Sequence, residues 1–139
     1  MGEVRIFGTT ADEGMEIKAE TAEELFALAV RGFLTILLGE HHRVNPRESI
    51  TLQVEGEDPT ELLVGLVNEL IYLFDARKWV PCKASKVKLK GGVLKATLEG
   101  ESYNPQNHPP AVEIKAATYH GAEVSEENGV WRARLIVDL

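Results

Sequence analysis

Apolar and polar residues alternate in short segments along most of this chain, and two longer segments show helical spacing instead. Alternation with a period of two is typical of a half-buried strand, whereas apolar residues at steps of three and four indicate an amphipathic helix. The pattern therefore predicts two helices and seven strands. The strands are expected over Glu3–Gly8, Met15–Ala19, Ser49–Glu55, Ala84–Lys90, Val93–Gly100, Val112–His120 and Val130–Leu139.

Both predicted helices carry capping signals at their N-termini. Thr21 is followed three residues later by Glu24, which is a capping box, and the apolar spacing continues until Gly39 offers a C-terminal stop. The second helix opens with an N-cap aspartate, Asp58, followed by a proline at the first helical position. Its expected buried stripe is Leu63, Leu66, Val67, Leu70, Ile71 and Phe74.

The order of these elements decides the fold class. Two helices among seven strands are too few for a doubly wound parallel sheet, which needs a helix at nearly every crossover. Gly91-Gly92 and Asn128-Gly129 are strong hairpin signals, which favour antiparallel pairing, and we expect a turn at Gly121. We therefore predict an α+β two-layer sandwich, with two helices on one face of a mostly antiparallel or mixed sheet, as a single domain over residues 1–139.

Composition narrows the classes of function. The net charge of −7 argues against unaided binding to a nucleic-acid backbone and suits binding to cations or to a basic protein surface. The single cysteine, Cys82, cannot form an internal disulfide and is expected to be a packed residue of a cytoplasmic protein rather than a nucleophile. No apolar run approaches the roughly 20 residues of a membrane span, so no membrane association is expected.

Candidate chemistry is concentrated in the segment Val112–His120. If it is a straight strand, Glu113, Lys115 and Tyr119 share one face, and the bland alternative is a solvated face with a chance ion pair. A small-molecule enzyme could use these groups for acid–base catalysis, but His120 has the opposite parity and would point away, which weakens that hypothesis. Asn68, Tyr72 and Asp75 on the second helix could form a polar site, although a solvated helix face is more common.

The last strand continues to the final residue and would hold Asp138 beside the α-carboxylate of Leu139. Two fixed negative groups repel each other unless a cation or a cluster of donors joins them. If Asp12, from the first hairpin, also lies there, three oxygen ligands could bind a hard cation such as calcium or magnesium. The alternatives are that Asp12 is a turn residue and that Asp138 is simply exposed to water.

Five segments in order along the chain resemble the archease family. They are Thr10-Ala11-Asp12-Glu13-Gly14, Asn68-Glu69-Leu70-Ile71-Tyr72-Leu73-Phe74-Asp75, Gly100-Glu101-Ser102-Tyr103, Glu113-Ile114-Lys115-Ala116-Ala117-Thr118-Tyr119-His120 and Val137-Asp138-Leu139. Each segment alone is weak evidence for the family, but the order and spacing of the five together are specific to it. The resemblance covers nearly the whole chain. Two positions depart from the family pattern: Thr9 stands where the family usually has His, and Glu13 replaces a residue that is commonly apolar.

The resemblance implies a cytoplasmic, non-enzymatic protein that activates an RtcB-type RNA-splicing ligase, promoting its guanylylation and multiple turnover during tRNA splicing. It implies functional roles for Asp12, Lys115 and Asp138. Glu113, Tyr119 and His120, in the same segment as Lys115, are candidates for a supporting role. It also implies a divalent-cation site at Asp12, Asp138 and Leu139, with calcium the expected metal and magnesium or manganese the alternatives. An older interpretation of the family is a chaperone-like modulator of a tRNA methyltransferase. A plain interaction domain that binds no metal is a third class.

Overall fold

A computed structural model describes residues 2–8 and 12–139, and the predicted α+β class is confirmed. The described residues form two helices and seven strands. The helices are α1 (Ala22–Leu38) and α2 (Pro59–Asp75). The strands are β1 (Glu3–Gly8), β2 (Asp12–Ala19), β3 (Glu48–Glu55), β4 (Trp79–Lys90), β5 (Val93–Ser102), β6 (Ala116–Glu127) and β7 (Val130–Asp138).

The strands are divided between two antiparallel sheets rather than joined in the one sheet we expected. Sheet A has the strand order β1-β2-β7-β6, and sheet B has the order β3-β5-β4. Both helices contact strands of both sheets, and their apolar side chains join those of the strands in one large core. The last strand, β7, therefore lies inside sheet A, between β2 and β6.

The predicted helix caps are confirmed. The Thr21 hydroxyl accepts a hydrogen bond from the Glu24 amide at 3.0 Å, and the Asp58 carboxylate accepts one from the Glu61 amide at 2.8 Å. Gly39 ends α1 with φ +87°, a conformation that favours glycine. Five of the six stripe residues of α2 are buried and Phe74 is half-buried, so this side of the helix faces the core as predicted. No described helix has the length and apolar character that a membrane crossing needs.

Several strand boundaries differ from the prediction, and two of these differences follow from strand pairing and burial. β2 begins at Asp12 rather than Met15, because Asp12 and Glu13 already pair with β7. β4 begins at Trp79 rather than Ala84, with a buried run, Trp79–Pro81, that does not alternate. Its proline is tolerated because β4 is an edge strand of sheet B.

The prediction of a strand over Val112–His120 is wrong at both ends. The strand begins at Ala116 and continues through the predicted turn at Gly121 as far as Glu127. Between the paired residues Thr118 and Glu123, four residues of β6 lie opposite a single residue of β7. Gly121 has φ +74° inside this bulge, so the glycine that suggested a turn instead lets the strand bend and continue.

Candidate functional site

Two aspartates from distant parts of the chain face each other at one end of sheet A. Asp12 is the first residue of β2 and Asp138 is the last of β7, and the strand register places them directly opposite. The neighbouring Val137 points into the core, where it is fully buried, so Asp138 projects from the other face of the sheet and is exposed. Side chains in directly opposed positions have Cβ atoms about 4.5–5.5 Å apart. The two predicted carboxylates are therefore neighbours.

The segment that leads into β6 brings the backbone of Lys115 next to that of Asp138. Ala116 is opposite Asp138 in the register of β6 and β7, and the Lys115 amide donates to the Asp138 carbonyl at 2.9 Å. The Lys115 side chain is exposed. Because the alanine is small, the row of side chains across this end is open beyond Asp138. The backbones of Asp12, Asp138 and Lys115, predicted as functional residues, thus lie at the same end of sheet A.

This arrangement suits a hard divalent cation. Carboxylate oxygens are the ligands that calcium and magnesium prefer, and like charges placed directly opposite on neighbouring strands destabilise a sheet unless they are compensated. Leu139 follows Asp138 and packs against the core, which anchors the chain beside the aspartates. Among residues 2–8 and 12–139, no three His, Cys, Asp or Glu side chains come together. A cation here would therefore need an oxygen other than a side-chain carboxylate as a further ligand.

The predicted row of Glu113, Lys115 and Tyr119 on one strand face is not formed. Glu113 and Lys115 are exposed but precede β6, whereas Ala117, which has the same parity along the chain, is buried. Tyr119 is 62% exposed and lies in the bulge next to the exposed His120. The alternation fails because the chain enters the sheet only at Ala116 and because the bulge then changes the direction of the following side chains.

Asn68 fixes the start of β6, a role that the sequence did not reveal. Its side-chain amide donates to the Ala117 carbonyl at 3.1 Å, and its side-chain oxygen accepts from the Ala117 amide at 2.9 Å. The Thr60 hydroxyl likewise accepts from the Val124 amide at 3.0 Å, so α2 and β6 run in opposite directions along each other. The exposed Tyr72, one turn beyond Asn68, consequently lies toward Lys115.

A second group missed by sequence reasoning is the buried pair of Glu101 and His108. The His108 Nε2 and the Glu101 carboxylate are 2.9 Å apart, and Glu101 also accepts from the Asn45 amide at 2.8 Å and from Arg47 Nε at 3.1 Å. The hydrogen bond from the Asn45 amide is the main cause of a lowered pKa at Glu101, with His108 and Arg47 contributing. The only sequence signal was the segment Gly100–Tyr103, which contains the acid but not its partners.

Cys82 is half-buried, as its proposed packing role requires. Burial is the main cause of a raised pKa of its thiol. A raised pKa reduces the fraction of thiolate, which is the nucleophilic form. The thiol therefore belongs to the packing of β4 rather than to the candidate site.

Comparison with known proteins gives a consistent result. The family model for the Archease protein family matches residues 5–139. Protein archease of Methanopyrus kandleri is 32% identical over 133 residues, and that of Pyrococcus furiosus is 31% identical over 134 residues; each match covers 94% of both chains.

Two solved structures share the fold. The solution structure of protein 1598 of Methanobacterium thermoautotrophicum has a TM-score of 0.78, with 27% identity and 98% of each chain covered. The crystal structure of a Thermotoga maritima protein, described as an archease and possible chaperone, has a TM-score of 0.66, with 25% identity and 96% of this chain and 94% of that chain covered.

Proposed function

The chain belongs to the archease family, and we propose that it is a protein cofactor that activates an RtcB-type RNA-splicing ligase by promoting guanylylation and multiple turnover. The observation that carries this proposal is the direct opposition of Asp12 and Asp138, with Lys115 hydrogen-bonded to the same strand end. These are the three residues for which the family resemblance implies a functional role. Their assembly from three separate parts of the chain supports a common site.

Each residue of the site has a separate task in this proposal. Asp12 and Asp138, together with Leu139, would hold a divalent cation, with calcium the expected ion. The bound ion would supply positive charge for the phosphate chemistry of the ligase. Lys115 is exposed and compact at its charged end, so it can pair with a phosphate or with a carboxylate of the ligase.

The surroundings of the site suit contact with another protein better than catalysis by this chain alone. The aspartates and Lys115 lie at an open sheet end, and the acid–base candidates Glu113, Tyr119 and His120 are exposed rather than gathered in a cleft. Tyr72, on the neighbouring helix α2, is 54% exposed and lies toward Lys115. Exposed tyrosine is enriched in protein interfaces. Contact with a basic ligase surface also fits the net charge of −7.

Ligation assays test the role of Lys115. With substoichiometric ligase, GTP and metal, the wild-type chain should speed multiple-turnover RNA joining. Lys115→Ala should remove this stimulation without unfolding the chain, because the side chain lies outside the core. Lys115→Arg keeps the charge but not the compact ammonium group, so partial rescue at most is expected.

Lys18→Ala is the matched control, because Lys18 is an exposed lysine at the opposite end of β2 from Asp12. It should stimulate ligation like the wild type. Full stimulation by Lys115→Ala would refute the role of this lysine. Loss of stimulation accompanied by loss of the folded state would instead make Lys115 a structural residue.

Calorimetric titration with calcium tests the cation site independently of the ligase. Asp12→Ala and Asp138→Ala should each weaken calcium binding, because each removes an anionic ligand. Calcium should also raise the melting temperature of the wild type, since a ligand that binds only the folded state stabilises it. Asp75→Ala removes an exposed aspartate at the end of α2 and should change neither result. Equal calcium affinity in all four proteins would rule out the site.

A chaperone-like action on an RNA-modifying enzyme, such as a tRNA methyltransferase, is the second candidate. The description of the Thermotoga maritima relative as a possible chaperone favours it. Tyr72 and Tyr119, the two large exposed aromatic residues in the described part of the chain, offer apolar contact area for such a partner. If this function holds, the chain should suppress light scattering by a heated client enzyme, and Tyr72→Ser with Tyr119→Ser should reduce that suppression. Suppression by Lys115→Ala should then equal that of the wild type.

A further inference from the structure

Five lysines project from the exposed face of sheet B, which we call the lysine face. Lys83, Lys86, Lys88 and Lys90 lie on β4, and Lys95 lies on β5. All five are exposed, whereas alternate residues of the same strands, such as Leu94, are buried in the core. The alternation of the strands therefore directs a third of the Lys and Arg residues of this chain, 5 of 15, to one surface.

The positive charge of this face is poorly compensated. Lys88 is directly opposite Lys95, and the next residue in that row, across β3, is the neutral Gln53. The carboxylates that project from the face are Glu55 and Glu99, at its two ends. The ion pairs found among the described residues involve none of the five lysines. Like charges directly opposite on neighbouring strands are destabilising, so an anion bound here would relieve the repulsion.

The exposed face of sheet A provides an internal comparison. There, one row across the strands alternates in sign, in the order Arg5, Glu16, Arg134 and Glu123. Arg5 forms an ion pair with Glu16, and Arg134 lies over the ring of Phe7 at 4.7 Å. Away from the opposed aspartates at its end, sheet A thus balances charge on its exposed face, whereas sheet B leaves it unbalanced. A solvated face of ordinary composition does not account for that difference.

The other groups on the lysine face indicate the chemistry of its ligand. The hydroxyls of Thr51 and Thr97 are 3.2 Å apart in the middle of the face, and Gln53 adds an amide, so neutral hydrogen-bond donors lie among the charges. No aromatic side chain projects from the described part of this face, which removes the stacking platform that single-stranded bases require. Ammonium groups and hydroxyls without stacking surfaces suit phosphate and sugar oxygens of a helix backbone.

We propose that the lysine face binds the sugar–phosphate backbone of structured RNA. The choice of RNA rests on the proposed function, in which the partner ligase joins RNA ends; the phosphate chemistry rests on the face itself. The binding would not depend on sequence, because no group on the face reads base edges. It would be strongest at low salt, because it releases counterions from the RNA.

Protection of an edge strand is the competing explanation for the lysines. Lysines on edge strands discourage pairing with other chains, and β4 is an edge of sheet B. Lys95 does not fit that explanation, because β5 is the central strand, paired on both sides. Lys95 therefore separates the two explanations experimentally.

Fluorescence anisotropy with an RNA hairpin, whose stem has about 16 base pairs, tests the proposal on the full chain without any ligase. The wild type should bind at low salt. Lys86→Gln, Lys88→Gln and Lys95→Gln combined should weaken binding roughly tenfold or more and lower the slope of log affinity against log salt by about 3. The control combines Arg31→Gln, Arg43→Gln and Arg77→Gln, which makes the same charge change at exposed positions elsewhere. It should bind RNA within about twofold of the wild type.

Single substitutions keep the test decisive if the triple variant aggregates. Lys95→Glu on the central strand should by itself weaken RNA binding, whereas Lys95→Arg should retain it. Absence of RNA binding by the wild type, equal losses in the lysine-face and control variants, or equally tight binding of a polyglutamate peptide would each overturn the proposal. Because the assay contains no ligase, failure of RNA binding is distinct from failure of ligase activation.

Discussion

At the scale of single residues, Glu101 connects three separate parts of the chain through one buried carboxylate. It accepts hydrogen bonds from the Asn45 amide and from Arg47, and it is paired with His108. The Asn104 amide donates to His108 Nδ1 at 3.0 Å, so Nε2 carries the hydrogen that reaches the carboxylate. The irregular segment after β5 is thereby tied to the loop that precedes β3.

Glu101 should make the stability of the protein sensitive to acid. Its pKa in the folded state is lowered, chiefly by the hydrogen bond from the Asn45 amide. Its contribution is therefore fully present above the unfolded-state pKa of about 4.3 and is lost as the pH falls through the lower folded-state pKa. We expect Glu101→Gln to lower the free energy of unfolding near neutral pH.

Urea unfolding of the wild type and Glu101→Gln at a series of pH values measures this effect. The difference between the two proteins should shrink as the medium is acidified toward the folded-state pKa. Glu127→Gln, at an exposed carboxylate near the end of β6, should show little difference at any pH. A gap between wild type and Glu101→Gln that is constant with pH would contradict the assigned role of the ionised carboxylate.

At the scale of secondary structure, the sequence predicts what depends on neighbours along the chain. The helix caps and the stripe of α2 are local signals, and each was confirmed. The bulge in β6 and the shift of its start to Ala116 depend on β7 and on Asn68, which lies 49 residues from Ala117. A pattern read along one strand cannot contain that information. This is why the spacing of Glu113, Lys115 and Tyr119 gave a wrong geometry.

The candidate site was predictable only in part for the same reason. The types of residue at the chain's two ends suggested oxygen ligands, and the family resemblance selected Asp12, Asp138 and Lys115. Their proximity follows from the pairing of β2 with β7 and of β6 with β7, which no local pattern specifies. Thr9, the departure from the family pattern beside Asp12, lies outside the described residues, as do Thr10 and Ala11.

The buried stripe of α2 gives a prediction about the core. Leu66 and Leu70 are both fully buried. Leu66→Ala or Leu70→Ala should each lower the free energy of unfolding by roughly 2–5 kcal/mol, through lost apolar burial and the cavity left behind. Tyr72→Ala, on the exposed side of the same helix, should change it by about 0.5 kcal/mol or less. Chemical denaturation measures the free energy of unfolding of all three variants. Equal denaturation midpoints would show that the buried side of α2 is assigned incorrectly.

At the scale of the whole molecule, the distribution of charge matters more than its sum. The net charge of −7 predicted no direct contact with nucleic acid. That expectation treats the charges as evenly spread, whereas strand alternation collects five lysines on sheet B and the opposed aspartates at one end of sheet A. In our proposals, the end of sheet A with Asp12 and Asp138 binds a cation and contacts the ligase, and the lysine face binds RNA. One small chain then contacts both the enzyme and its substrate.

The position of β7 inside sheet A has a consequence for how the protein is made. β2 is synthesised early, but its partner β7 leaves the ribosome after the other six described strands, and until then β2 can pair only with β1. Pairing β2 with β7 closes a loop that contains all the elements between them. Closing so long a loop is entropically costly and is characteristic of slow, non-local folding. The opposed aspartates cannot meet before this step. A nascent chain without β7 therefore lacks the opposed aspartates, and the activity that we propose can begin only after β7 has been synthesised.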